Sequence, residues 1–313
     1  MNFILVIGGL ALLVAGGEML IRGSVGIAER FGLSRALIGV LLLGFGTSMP
    51  EFVATFGAAA KGANDIAFGN VLGSNIANVL MILGVSALIL PIATQMTELK
   101  RDVCFVFASS VGCVVWIMLG GIPVLGAAAL VFGFFVYLIL SIRADIRMPA
   151  EPVNPTKILK PFPIDMMFVV AGVALLIMGA EGLIRGASSI ARGYGISEAL
   201  IGITIVGIGT SLPEATASIL ASIKKENQLA FANIVGSNIF NGLAILGVTG
   251  LAYPLTFDIS AAGFSLIDGA VLLGATALMF IFAASHRKVM RWEGAVMLIG
   301  YVAYLGWLIS RAL

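Results

Sequence analysis

The sequence predicts an all-α, polytopic membrane protein with ten transmembrane helices in two inverted five-helix repeats. Three observations predict it. The 313-residue chain is 60% hydrophobic and 11% charged, with a mean hydropathy of +1.10, outside the range of ordinary soluble domains. The stretches Ile66–Thr97 and Val103–Ile142 contain no Asp, Glu, Lys or Arg, and each exceeds the roughly 20 residues a membrane helix needs. The chain also repeats itself at an offset of 163: from Glu18/Glu181 to Val85/Val248, without a gap, 36 of 68 pairs are identical.

The ten spans fall at roughly 2–27, 35–60, 66–92, 102–120, 123–143, 164–189, 197–222, 228–253, 259–283 and 292–312. No positively charged leader precedes the first, which predicts an uncleaved helix. The second and seventh carry ALIGVLLLGFGTSMPE, ending at Glu51, and ALIGITIVGIGTSLPE, ending at Glu214. The third and eighth carry AFGNVLGSNIAN, ending at Asn78, and AFANIVGSNIFN, ending at Asn241. Gly120-Gly121-Ile122-Pro123 splits Val103–Ile142 into the fourth and fifth spans through a tight turn. Residues 146–163, with Pro149, Pro152, Pro155, Pro161 and Pro163, read as a cytoplasmic linker between a first repeat, 1–145, and a second, 164–313. The sixth span repeats the first, and the ninth and tenth close the second repeat.

Five spans per repeat is an odd number, so the second repeat enters the membrane in the opposite sense. The charges agree. With the N-terminus outside, cytoplasmic segments hold Arg30, Arg35, Lys100, Arg101, Arg143, Arg147, Lys157, Lys160, Lys224, Lys225, Arg287, Lys288 and Arg291, thirteen in all, against external Lys61, Arg192 and Arg311. That positive-inside bias places both termini outside a cell membrane. The net charge of +2 therefore reports topology and gives no reason to expect a nucleic-acid partner. Cys104 and Cys113 share one apolar span without metal-ligand spacing and read as packing residues, and His286, in a basic loop, reads as solvated.

Glu51 and Glu214 lie well inside their spans, where an ionisable group marks a functional site by default. Pro50 and Pro213 precede them and deprive the carbonyls of Gly46 and Gly209 of a donor. The run Gly44-Phe45-Gly46-Thr47-Ser48 is thus expected to unwind and turn carbonyls inward, which membranes tolerate only inside protein or along a wet cavity. Two bidentate carboxylates with the carbonyls of Thr47 and Thr210 offer six oxygens, a set suited to a hard cation such as Ca²⁺. No Cys or His is at hand for a softer metal. Ser74 and Asn78 share a helix face, as do Ser237 and Asn241, and the small Gly73 and Gly236 permit close helix approach. Interhelical hydrogen bonding is the simpler use of such side chains. Their duplication beside two buried carboxylates favours lining of the site.

These paired GTSxPE and GSNIxN segments resemble the α-repeats of the cation/calcium exchanger superfamily, most closely its prokaryotic sodium/calcium exchangers, with α-repeats at about 36–85 and 199–248. The resemblance implies Ca²⁺ coordination by Glu51 and Glu214 with backbone oxygens of Thr47 and Thr210. It further implies Na⁺ sites at Ser48, Ser74, Ser211 and Ser237 and the carbonyls of Gly44 and Gly207, with Asn78 and Asn241 lining the middle. Some members, including potassium-dependent exchangers, carry Asp at the position of Asn241. The formal charge here is therefore −2, which one Ca²⁺ or two Na⁺ neutralise.

Glu18/Arg22 and Glu181/Arg185 form a further duplicated pair at i, i+4, read as charge-neutralising anchors, with a latch on sliding first and sixth helices as the alternative. Asp268 is expected near the outer end of the ninth span. The reading is a Na⁺/Ca²⁺ antiporter, normally extruding Ca²⁺, and the alternative is proton-coupled Ca²⁺ exchange. No cofactor motif or enzyme chemistry is visible: an intramembrane hydrolase lacks a His or Lys partner near the repeats, and a channel needs no pair of proline-broken elements. The implied partners are Ca²⁺, Na⁺ and the lipid bilayer.

Overall fold

A chain in hydrocarbon must satisfy its own backbone, and the apolar sequence accordingly becomes helix. The computed structural model describes residues 2–94, 96–146, 161–196, 201, 205, 207–258 and 265–312. The helices are α1 (Asn2–Phe31), α2 (Arg35–Thr47), α3 (Met49–Ala60), α4 (Asn64–Ile89), α5 (Met96–Leu119) and α6 (Val124–Ile146). After the linker, of which 147–160 lie outside the described residues, come α7 (Phe162–Gly193), a single turn Gly207–Thr210, α8 (Leu212–Ile223), α9 (Asn227–Ala252), α10 (Leu266–Ser285) and α11 (Arg291–Ala312). Among the described residues eight helices are long and apolar enough to cross a membrane, or nine if the bent pair α2–α3 is one span. The expected seventh span, 197–222, is represented by Ile201, Ile205, the turn and α8. The expected count of ten is therefore not reached on the described residues alone.

The expected unwinding over Gly44–Ser48 is not what occurs. Phe45–Thr47 stays helical, and the chain bends by 45° at Ser48, whose φ of −84° and ψ of 7° leave the helical region. Pro50 sits in the first turn of α3, where a missing N–H costs no bond, so a new helix starts rather than a coil. The slack is taken upstream, where Gly39–Gly44 is wound as a π-helix. Ser211 has almost the same geometry, φ −88° and ψ 9°, before Pro213 in α8. Further π-helical turns occupy Asn78–Leu83 in α4 and Phe240–Ile245 in α9.

Beside the helices, the described residues include four two-residue strands, too short to change the all-α class. β1 (Ile92–Ala93) pairs with β4 (Lys288–Val289), and β2 (Gly121–Ile122) with β3 (Leu255–Thr256), both antiparallel. Each clips a connection of one repeat to a connection of the other. The turn expected at Gly120–Pro123 is formed, with Gly120 at φ 68° and Gly121 at φ 151°.

α9 is enclosed along its apolar length and α4 along most of it, which makes them the central helices. α1 and α7 pack lengthwise on each other and form a second apolar cluster with α8 and the start of α9. Their contact requires glycine: a Cβ on Gly16 would stand 2.8 Å from the Gly172 carbonyl oxygen, and one on Gly172 the same distance from that of Gly16. Of the two cysteines, Cys113 is buried and packs as expected, whereas Cys104 is exposed. His286 is exposed, as expected, with Nδ1 3.8 Å from buried Glu293. Asp268 is buried, capping α10 through Ser265 and accepting a 2.6 Å hydrogen bond from Tyr304.

Candidate ion site between the broken helices

α3 and α8 each begin with proline followed by glutamate, so each carboxylate rises from the first turn of a helix, where the backbone dipole favours negative charge. Glu51 and Glu214 are fully buried. Each is held by the break in the other repeat: Ser48 Oγ donates to Glu214 Oε1 at 2.8 Å, and Ser211 Oγ donates to Glu51 Oε1 at 3.4 Å. The Oε2 atoms of both find no donor among the described residues.

Behind them stand two asparagines that sequence reasoning missed. Asn70 Nδ2 donates to Thr55 Oγ1 at 2.9 Å and to the Glu51 carbonyl at 3.3 Å. Asn233 Nδ2 donates to Ser218 Oγ at 2.8 Å and to the Glu214 carbonyl at 3.3 Å. They fasten the starts of α3 and α8 to α4 and α9. The signal was present, since Asn70 and Asn233 sit at the same 163-residue offset inside the quoted motifs.

The remaining expected residues divide. Thr47 is buried, and its hydroxyl proton is committed, with Leu43 O at 2.9 Å and Asn233 Oδ1 at 3.3 Å as acceptors, which leaves its oxygen lone pairs and its carbonyl to offer. Ser237 Oγ donates to the Gly44 carbonyl at 3.4 Å. Gly44 and Gly236 make that approach possible, since a Cβ on Gly236 would lie 2.8 Å from Val40 Cα. Ser74 is buried, yet no hydrogen bond joins it to Gly207 among the described residues. Gly207 is exposed and Thr210 half-buried, its hydroxyl donating to the Gly207 carbonyl at 3.4 Å. The close approach expected at Gly73 finds nothing within 4 Å among the described residues; Ile203, the counterpart of Val40, lies outside them. Asn78 and Asn241 are buried where α4 meets α9.

Chemically this is an acceptor-rich interior. Among the described residues no cluster of three or more His, Cys, Asp or Glu exists, so a cation here rests on two carboxylates and neutral oxygens. Such a set suits hard cations. Two buried carboxylates each left with an unbonded oxygen are costly until a counter-charge arrives.

Fold and site together define an all-helical, multi-pass membrane protein whose two broken helices bring a buried acidic pair into its interior. The family described as sodium/calcium exchanger protein matches residues 1–143 and 165–310, and the chain belongs to that family. It is 35% identical over 312 residues to the putative antiporter CaxA of Alkalimonas amylolytica, with 96% of each chain covered. Similarity to the sodium/calcium exchanger MaX1 of Methanosarcina acetivorans is 30% identity over 345 residues, 97% of each chain. Among solved structures, the sodium-calcium exchanger NCX_Mj soaked with Na⁺ and zero Ca²⁺ superposes with a TM-score of 0.84 at 29% identity, covering 97% of this chain and 98% of that one.

Proposed function

We propose that the protein is a secondary active antiporter of the cell membrane that exchanges Na⁺ for Ca²⁺ by alternating access and normally extrudes Ca²⁺. The observation that carries this reading is the buried pair Glu51 and Glu214, each bonded across the repeats and each with one oxygen free of donors among the described residues. Ca²⁺ binds Glu51 and Glu214 with carbonyls of Thr47 and Thr210. Na⁺ uses Ser48, Ser74, Ser211, Ser237 and the carbonyls of Gly44 and Gly207. Either load neutralises the carboxylates, and only a neutralised site crosses, which prevents leak. The work is binding and translocation, with no bond made or broken.

An inverted ten-span arrangement supports alternation, and the reciprocal contacts at a constant 163-residue offset fit it. β1–β4 and β2–β3 join connections that this topology puts on the same face, cytoplasmic and external respectively. The repeats are also in unequal states. Gly44 and Thr47 are closed off while Gly207 is exposed and Thr210 half-buried, and in this topology Gly207 lies in the external half of its span. Glu18 accepts from both Arg22 (2.5 Å) and Lys224 (2.6 Å), whereas Glu181 bonds Arg185 without Lys61, the counterpart of Lys224. Both differences fit an outward-facing state. Single cysteines placed in 61–65 and 224–228, in a background lacking Cys104 and Cys113, should label from opposite faces of sealed vesicles. Labelling of both from one face contradicts the inverted topology.

The deciding experiment is Ca²⁺ uptake into proteoliposomes with Na⁺ and pH gradients imposed separately. Uptake driven by outward Na⁺ at matched pH is the expected result. Uptake driven only by the pH gradient would make protons the counter-ion. Choline and potassium media should give equal rates, since Asn241 adds no third charge. Ser48→Ala removes a charge-assisted bond worth about 1.5–3 kcal/mol and is expected to raise half-saturating Ca²⁺ roughly tenfold or more; Ser211→Ala, with its longer bond, is expected to do less.

A further inference from the structure

We infer that Asn75 and Asn238 are positioning residues for ion binding: each accepts the amide N–H of the other repeat's Asn241 or Asn78 and so aims the oxygen of that amide at the transported ion. This rests on the exchange reading above. Neither residue was singled out beside the expected lining set, yet both are buried at the crossing of α4 and α9.

The hydrogen bonds are reciprocal across the repeats. Asn241 Nδ2 donates to Asn75 Oδ1 at 3.1 Å, and Asn78 Nδ2 donates to Asn238 Oδ1 at 3.0 Å. Asn75 Nδ2 in turn donates to the Asn238 carbonyl, and Asn238 Nδ2 to the Asn75 carbonyl, both at 3.4 Å. These last two bonds fix which end of each amide faces which way. With the NH₂ ends of Asn75 and Asn238 turned to backbone carbonyls, their oxygen ends are the ones that face Asn241 and Asn78. Those must therefore present NH₂ inward to the cluster and oxygen away from it.

The Oδ1 atoms of Asn78 and Asn241 are buried and have no donor among the described residues, as with the Oε2 atoms of Glu51 and Glu214. Four buried acceptors without donors are the polarity a cation demands, and a flipped amide would present two N–H dipoles of the wrong sign. The π-helical turns begin at Asn78 in α4 and at Phe240, beside Asn241, in α9, so the two lining amides sit where the helices widen. Outer partners of this kind commonly govern metal affinity by about 10–100-fold.

The arrangement makes an unusual demand. Coupling must run across repeats, Asn75 with Asn241 and Asn238 with Asn78. The test is a pair of double-mutant cycles in Na⁺-loaded proteoliposomes, reading half-saturating Ca²⁺ separately from maximal rate. Asn75→Ala alone is expected to raise half-saturating Ca²⁺ about tenfold with a smaller change in maximal rate. In an Asn241→Ala background, where no oxygen remains to be aimed, it should add little. Asn238→Ala should behave likewise toward Asn78→Ala. Asn75→Ser, which keeps a short acceptor, should recover part of the affinity and serves if the alanine variant misfolds.

Additive effects of Asn75→Ala and Asn241→Ala in well-folded protein, or a fall in maximal rate at unchanged half-saturation, would overturn the inference. Absence of Ca²⁺ uptake by the unmodified protein would instead defeat the exchange reading itself.

Discussion

Glu51→Gln and Glu214→Gln are each expected to reduce Na⁺-driven Ca²⁺ uptake to background while the purified protein stays folded and monodisperse. Both residues are fully buried in the interior, and each when ionised supplies a full charge and two oxygens to a bound cation. An amide keeps one oxygen and none of the charge. A divalent ion would then be left with a net positive charge in a medium where unbalanced charge costs several kcal/mol. Folding should survive, because the bond from Ser48 or Ser211 can go to the amide oxygen. Glu51→Asp and Glu214→Asp keep the charge but withdraw it by one methylene, and they should retain weak uptake with raised half-saturating Ca²⁺. Near-normal uptake in either Gln variant removes the carboxylates from the site.

Gly236→Val is expected to cost both stability and transport. The added Cβ would stand 2.8 Å from Val40 Cα and 3.3 Å from its carbonyl oxygen, so backbone must move. Overpacking of this kind costs about 1–3 kcal/mol. The separation happens beside Gly44, whose own Cβ would meet Gly236 C and Ser237 N at 3.0 Å, and it breaks the 3.4 Å contact of Ser237 with the Gly44 carbonyl. Transport should therefore fall further than thermal stability alone accounts for. A lower melting temperature with unchanged half-saturating concentrations of both ions would show that this contact only packs helices.

Much of the site was legible because the 163-residue repeat marks each part twice. Proline-glutamate at membrane depth has few structural uses, so Glu51 and Glu214 stood out. Ser48 and Ser211 were expected as ligands; the structure shows them as the break points and the groups that hold the opposite carboxylate. What stayed hidden was the support. Asn70, Asn75, Asn233 and Asn238 sit inside the recognised motifs, but residue type does not distinguish an amide that lines a site from one that aims its neighbour. Spacing also located the helix break only to a five-residue run, because proline dictates that a helix is interrupted and the packing decides where. The inequality of the repeats could not be read from sequence. Similar segments supply both repeats, yet Gly44 is closed off and Gly207 exposed.

In the proposed exchange Ca²⁺ and Na⁺ compete for one site built on Glu51 and Glu214. Isothermal calorimetry of the purified protein, titrating Ca²⁺ in choline and then in rising Na⁺, tests it most directly. A single Ca²⁺ per chain is predicted, with an apparent affinity that weakens steadily as Na⁺ rises and with no binding heat in the Glu51→Gln/Glu214→Gln double variant. Ca²⁺ binding indifferent to Na⁺, or binding that survives in the double variant, would contradict the account.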